Sequence, residues 1–157
     1  MGAMKTFYLG IIAVGDFLQS FLLLAVRLFW GWQFFLAGSG KLGNIDHVIE
    51  FFTTLHIPFP GINAYVASCT ECFGGLCLLV GFASRLVAIP LAFTMIIAYL
   101  TADIEAVRAI FENPLDFTHK SPFNFLLAAL IVLCFGPGKF SVDALLKRFV
   151  FKKDHTS

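Results

Sequence analysis

Long apolar stretches separated by short polar segments dominate the pattern of this chain. Four of them approach the roughly 20 apolar residues that a helix needs to cross about 30 Å of hydrocarbon. They are residues 17–38, 62–83, 86–102 and 122–136. Turn signals such as Pro58-Phe59-Pro60-Gly61 and Pro137-Gly138 separate or end the stretches. The pattern predicts an all-α integral membrane protein, a four-transmembrane-helix bundle.

The segment after the fourth stretch has a different period. Apolar residues between about 141 and 152 recur at helical spacing, with Lys147, Arg148 and Lys152 between them. A helix with one apolar and one basic face is typical of segments that lie on an anionic membrane surface. We therefore expect a C-terminal amphipathic interfacial helix.

Three shorter segments complete the prediction. Residues 7–15 are apolar but stop at Asp16 and lack a small-residue cleavage site, so we expect an uncleaved interfacial or protruding start of the first helix. Residues 48–55 suggest a short amphipathic helix capped by Asn44. Residues 104–112 are expected to extend the third helix.

Composition supports a membrane location. Hydrophobic residues make up 59% of the chain and charged residues 13%, whereas an average soluble chain is about half apolar and about a quarter charged. This number of charged residues is too small to cover a water-facing surface. We therefore expect the partner of this surface to be the lipid bilayer. A net charge of +1 argues against nucleic acid. We expect one membrane domain over residues 1–157.

The basic residues predict an orientation. Four spans put both termini on one side, and seven of the 11 Lys and Arg residues fall there, against three on the opposite side. The seven are Lys5, Arg85, Lys139, Lys147, Arg148, Lys152 and Lys153. The positive-inside rule then places both termini in the cytoplasm of a multi-pass protein.

Arg27 and Glu71 are candidates for a functional site because each lies within a predicted span. An ionisable group at such depth costs about 2.5–3.5 kcal/mol and usually faces a partner or a cavity. Their spans are antiparallel neighbours, so we expect an Arg27–Glu71 ion pair. It is either a structural clasp or part of a pocket for a headgroup, a quinone or a proton. Lys41 would gate that pocket, and Gln33 and Tyr99 are further candidate ligand contacts.

Cys69 and Cys72 form a C-x-x-C pair, which suggests thiol chemistry. Both lie inside an apolar helix, where burial raises a thiol pKa and where the i, i+3 spacing is too wide for a disulfide. A redox role would need local unwinding near Gly74 and Gly75, so packing is the alternative that we favour. Among the His and acidic residues only His47 and Glu50 have ligand-like spacing, so no metal site is expected.

Several short blocks occur in a fixed order. They are Arg27-Leu28-Phe29-Trp30-Gly31, Gly38-Ser39-Gly40-Lys41-Leu42, Glu71-Cys72-Phe73-Gly74-Gly75 and Phe135-Gly136-Pro137-Gly138-Lys139-Phe140-Ser141-Val142-Asp143. Together, over about residues 20–147, they resemble the DoxX family of small bacterial and archaeal membrane proteins. The resemblance implies four transmembrane helices, a bacterial inner-membrane location, and recurrent polar positions at Arg27, Lys41, Glu71 and Arg85. Related proteins are associated with thiosulfate:quinone oxidoreductase and with a thiol-handling membrane complex.

Three functional hypotheses follow. The first is an accessory membrane subunit, rather than a self-contained enzyme, that binds a quinone or a lipid. It would support a redox or oxidative-stress complex by docking a membrane or peripheral redox protein. The second is a scaffold or chaperone that recognises another membrane protein through the glycine face of the second span or through the C-terminal helix. The third is a thiol oxidoreductase using Cys69 and Cys72. Ligand, partner and homo-oligomeric state stay open.

Overall fold

The chain folds into helices joined by short turns. The structure is a computed structural model that describes the backbone of residues 2–151 and the side chains of residues 7–149. Its helices are α1 (Gly2–Gly43), α2 (Ile45–Thr54), α3 (Pro60–Val80), α4 (Ser84–Thr101), α5 (Ile104–Arg108), α6 (Pro114–His119), α7 (Ser121–Phe135) and α8 (Val142–Phe151). All regular elements of this part of the chain are helical, as predicted. Lys152 and Lys153 of the predicted basic cluster lie outside the described residues.

Three helices are long and apolar enough to cross a membrane. They are the Phe7–Gly43 part of α1, α3 and α4. The 15-residue α7 is as apolar but shorter. The prediction of an integral membrane protein is therefore supported by three helices that could span.

The bundle is built from antiparallel pairs. α1 packs mainly against α3, α4 packs against α7, and α3 and α4 are joined by a tight turn. The buried core lies between these four helices. Its members are Phe34, Leu78, Leu91, Ala92, Met95, Ala129 and Val132. Because the core draws on all four helices, they form one packed unit.

Glycines let α1 and α3 approach closely. A side chain at Gly31 would lie 2.8 Å from the backbone nitrogen of Leu79, and one at Gly75 would lie 2.5 Å from that of Phe35. Gly38 meets the backbone of Cys72 in the same way. Small residues at such contacts are how membrane helices gain packing energy.

The start of α1 extends beyond the bundle. Residues 7–19 are exposed on every side, and Ser20 is the first buried position. At 1.5 Å per residue the extension is about 20 Å long. The helix runs through Gly15 and Asp16 without a break, so residues 7–15 belong to the start of the first helix, as expected.

Short helices close the end opposite the termini. α2 packs on α3, and the Asn44 carbonyl, rather than its side chain, accepts the first helical hydrogen bond from Val48, at 3.3 Å. The predicted continuation of the third helix to residue 112 is wrong, because α4 ends at Thr101 and the separate helices α5 and α6 lead to α7. Lys120 lies 3.4 Å from Asp116 and 3.7 Å from Asp103 there.

Candidate functional site

Arg27 lies at the end of the bundle that carries the α3–α4 turn. Its Nε donates to the Leu78 carbonyl oxygen at 2.9 Å, and its Nη2 donates to that of Leu79 at 3.1 Å. Its Nη1 donates to the carbonyl oxygens of Pro137 at 2.6 Å and Phe140 at 2.9 Å. The side chain is 1% exposed. The predicted Arg27–Glu71 ion pair is therefore wrong.

The position of Arg27 has a local physical cause. The last carbonyl groups of a helix have no partner within the helix, and a cation is favoured at that end. Gly81 ends α3 in the left-handed conformation, at φ +76°, and a side chain there would collide with the guanidinium group. The clasp reading of Arg27 is the one that this geometry supports.

Asp143 completes the same cluster from the opposite direction. Its carboxylate accepts hydrogen bonds from the backbone N–H groups of Ala83 at 2.7 Å and Ser84 at 2.9 Å, at the start of α4. Its own N–H donates to the Gly81 carbonyl at 3.0 Å. Residues 136–143 thus connect the C-terminal end of α3 with the N-terminal ends of α4 and α8. Asp143 had no predicted role, although a carboxylate near a helix start is a usual capping signal.

Glu71 forms its ion pair with Lys41, whereas the predicted partner was Arg27. Lys41 Nζ lies 2.6 Å from Glu71 Oε1 and 2.7 Å from Oε2. Lys41 is in the last turn of α1, and Glu71 is near the middle of α3. The two side chains differ in exposure, at 39% for Lys41 and 3% for Glu71.

Ser68 adds a second polar group to this region. It lies one turn before Glu71 on α3, where residues three apart share a face. Its hydroxyl is buried and has no hydrogen-bond partner among the described residues. Buried polar groups are satisfied in most proteins, so an orphan beside an ion pair is unusual.

The other candidate ligand contacts lie elsewhere. The Tyr99 hydroxyl donates to the Phe117 carbonyl at 2.7 Å, and the two rings stack with centroids 4.6 Å apart. Tyr99 therefore fastens α4 to α6. Gln33 is half-buried on α1, two turns before Lys41, and makes no side-chain hydrogen bond within the described part of the chain.

The cysteine pair lies in regular helix. α3 is continuous from Pro60 to Val80, so the local unwinding that a Cys69–Cys72 disulfide requires is not found. Both thiols are free, and the backbone of Cys72 packs against Gly38. Within residues 7–149, no group of three or more His, Cys, Asp or Glu side chains is placed to hold a metal ion.

Comparison with known proteins decides the family. The DoxX family model matches residues 22–104. This chain belongs to the DoxX family. The match contains Arg27, Lys41, Glu71 and Arg85, whereas the turn at 136–143 and α8 lie beyond it.

Two curated relatives share most of the chain. A Bacillus subtilis protein named "Putative oxidoreductase CatD" is 32% identical over 104 residues, which cover 66% of this chain and 69% of that protein. A Haemophilus influenzae protein, named only as an uncharacterized protein, is 27% identical over 130 residues, which cover 80% of this chain and 83% of that protein. No solved structure matches this DoxX chain.

Proposed function

We propose that this DoxX protein is an accessory membrane subunit that binds a lipophilic small molecule, a quinone or a lipid, at the Lys41–Glu71 pair. The observation that carries the proposal is a bidentate ion pair inside an apolar bundle, with one partner buried and the other partly exposed. The proposal moves the predicted pocket away from Arg27, whose donors are occupied by carbonyl groups.

Energetics favour a functional reason for this pair. Moving two charges out of water costs several kcal/mol, and apolar replacements of buried ion pairs are often as stable or more stable. A charged group at membrane depth is a functional-site hypothesis by default. Helix packing through Gly31, Gly38 and Gly75 already joins α1 to α3, so the Lys41–Glu71 pair is not needed to hold these two helices together.

The remaining N–H donor of Lys41 suits an oxygen atom of a ligand. A lysine ammonium has three donors, and two of those of Lys41 meet Glu71, which leaves one without an acceptor among the described residues. A quinone carbonyl or a lipid carbonyl or phosphate oxygen would accept it. A bound quinone would supply electron-accepting chemistry, and the part of this chain would be to hold and orient one of its oxygens.

A redox-linked complex is the context that we propose. One relative carries an oxidoreductase name, and the family resemblance links related proteins to quinone and thiol systems. We infer a supporting role for this chain rather than complete catalysis, with a membrane or peripheral redox protein as partner. A homo-oligomer is compatible with this role.

The membrane arrangement that we propose has four crossings within one domain over residues 1–157. α7 would span about 22 Å at 1.5 Å per residue, so the bilayer around it would thin. It lies alongside the longer α4, which supports its crossing. The excess of basic residues beside the termini supports cytoplasmic termini in a bacterial inner membrane.

A binding titration tests the ligand site. Purified protein in neutral detergent would be titrated calorimetrically with a short-chain quinone analogue and, separately, with a short-chain phosphatidylcholine, which lacks the net negative charge that the Arg85–Lys147 cavity is inferred to select. We expect at least one to bind, and K41M/E71L to weaken that binding by on the order of tenfold or more, as the loss of a charge-assisted contact implies. The matched control is K120M/D103L, which removes the Lys120–Asp103 ion pair on the same side, together with the contact of Lys120 to Asp116. Binding by K41M/E71L equal to that of the unmodified protein would overturn the site.

Helix packing in the bundle excludes one of the two partner-binding surfaces considered for a scaffold protein. Gly74, Gly75 and Gly81 are buried inside the bundle, so recognition of a partner through this glycine face is wrong. Recognition through α8 stays a hypothesis. The thiol hypothesis also stays untested, and full activity of C69S in a reconstituted complex would eliminate it.

A further inference from the structure

A cavity of about 550 Å³ lies at the end of the bundle that carries the Arg27 cluster. The starts of α4 and α8 and the end of α7 surround it. Its lining includes the cations Arg85 and Lys147, the carboxylate of Asp143, and the apolar side chains Leu86, Phe135 and Leu146. Its volume is within the range of small-molecule sites in proteins.

Both cations of the cavity are available to an anion. The ion pairs among the described residues are Lys41–Glu71, Lys120–Asp103 and Lys120–Asp116, so neither Arg85 nor Lys147 is engaged by a carboxylate. Arg85 is exposed and donates only one hydrogen bond within this part of the chain, from Nη2 to the Cys134 carbonyl at 3.2 Å. An arginine fork with free donors matches the geometry of a phosphate group.

Asp143 forms no ion pair with Arg85 or Lys147. Its two carboxylate oxygens are occupied by the N–H groups of Ala83 and Ser84, and its charge lies beside the buried Arg27 cluster. The turn also makes room for Arg85. Gly136 has φ +81°, and a side chain there would lie 3.2 Å from Arg85 Nε. The cavity therefore contains two positive groups that form no ion pair within residues 7–149.

The walls around the cations are apolar and open to the surroundings. Leu86 is 73% exposed, and Phe135 and Leu146 are also exposed. α3, α4 and α7 all begin or end at this level, where apolar helices meet the headgroup layer of a bilayer. A basic pocket between transmembrane helices at that level is a typical site for an anionic lipid headgroup.

We infer that this cavity binds the phosphodiester headgroup of an anionic phospholipid, with Arg85 and Lys147 on the phosphate and the acyl chains along Leu86, Phe135 and Leu146. The site is separate from the Lys41–Glu71 pair and does not rest on the function proposed there. α8 is then more than a helix on the membrane surface, because its Lys147 completes a defined site with α4.

Native mass spectrometry of the full chain in neutral detergent tests this site. The probes are phosphatidylglycerol, phosphatidylcholine and inorganic phosphate, each titrated against the protein. We expect phosphatidylglycerol to bind more tightly than the other two, and R85Q/K147Q to weaken it by on the order of tenfold, since each basic group near an anionic surface contributes appreciably. The control K139Q/R148Q removes the same charge from the same end without touching the lining, and a change below about threefold is expected.

Three results would overturn the inference. Equal weakening in both double variants would show diffuse surface attraction, and no weakening in R85Q/K147Q would show that the cavity is not the site. Binding of inorganic phosphate as tight as that of the lipid would make free phosphate the ligand. Should R85Q/K147Q fail to fold, L146E puts a negative charge in the lining and is expected to weaken phosphatidylglycerol binding. L145E, on the neighbouring exposed position outside the lining, is its control.

Discussion

Arg27 gives up contact with water for carbonyl oxygens from two separate parts of the chain. Two belong to the end of α3 and two to the turn that leads to α8, so one side chain joins segments that are far apart in the sequence. Four of its five donors are used in this way. The guanidinium group of Arg27 therefore has at most one N–H donor left for a ligand.

Replacement of Arg27 should destabilise the fold. In R27M the four carbonyl groups lose a charged donor while staying buried, so we expect the free energy of unfolding to fall by roughly 3–5 kcal/mol. R27K, which keeps the charge but fewer donors, should lose less. Denaturant titration in detergent micelles measures both, with the exposed R108M as control. An R27M protein as stable as R108M would contradict the clasp.

The Lys41–Glu71 pair should behave differently in the same measurement. K41M leaves the Glu71 carboxylate buried and unpaired, so we expect a loss of about 1–3 kcal/mol. K41M/E71L removes both charges and should lie within about 1 kcal/mol of the unmodified protein. A double variant less stable than K41M would mean that the pair holds the fold together, which would remove the energetic reason for a ligand site there.

The sequence identified Arg27, Lys41 and Glu71 as exceptional but paired them incorrectly. Their residue types show only that each needs a partner, and the partner depends on how α1 slides along α3. That register is fixed by the contacts of Gly31, Gly38 and Gly75, which no local spacing reveals. Carbonyl partners such as Pro137 are harder still to predict, because every residue offers one.

At the level of the elements, the α1–α3 contact is the most extensive among the described helices. Gly38 faces the backbone of Cys72, whereas a side chain at Gly40, two positions later on the same helix, would have no other atom within 4 Å. The two glycines therefore form a natural matched pair. Their different surroundings follow from the helical period, which turns successive positions to different faces.

Substitution by alanine should separate these two positions. In G38A the helices must move apart along their length, so we expect a loss of stability of about 1–3 kcal/mol. G40A adds a methyl group in open space and should be neutral or slightly stabilising, since alanine favours helix more than glycine does. Thermal unfolding of both proteins in the same detergent measures the difference. Equal melting temperatures would contradict the packing.

Apolar windows and turn residues predicted α3, α4 and α7 to within a few residues. Pro60, Gly81 and Gly136 end or begin helices through their own backbone preferences, so they are visible in the sequence. α5 and α6 were missed because helices of five and six residues are too short to show a period. α1 continues through Asp16, as expected, because a single charge does not stop a helix.

At the scale of the whole molecule, the bundle has two different ends. One end carries the Arg27 cluster, the cavity and the protruding start of α1. Short helices α2, α5 and α6 close the other end, and Lys41 lies near that end, in the last turn of α1. The proposed four crossings put these ends in different compartments.

Cysteine labelling of whole cells tests this topology. In a variant whose four cysteines are replaced by alanine, F111C on the loop between α5 and α6 and K139C on the turn before α8 would each supply one thiol. Phe111 is 97% exposed, and Lys139 is exposed as well. A membrane-impermeant maleimide should label F111C in intact cells and K139C only after the membrane is opened. Labelling of both in intact cells would contradict four crossings with cytoplasmic termini.

The most direct test of the central claim is to identify what the protein carries from its own membrane. The unmodified protein and K41M/E71L would be purified in mild detergent, extracted, and compared by quantitative mass spectrometry of small molecules. We predict one quinone or lipid species near one molecule per chain in the unmodified protein, distinct from the anionic phospholipid inferred at Arg85 and Lys147, and its loss in K41M/E71L. The absence of such a species from the unmodified protein, or its retention by K41M/E71L, would contradict a ligand site at this pair.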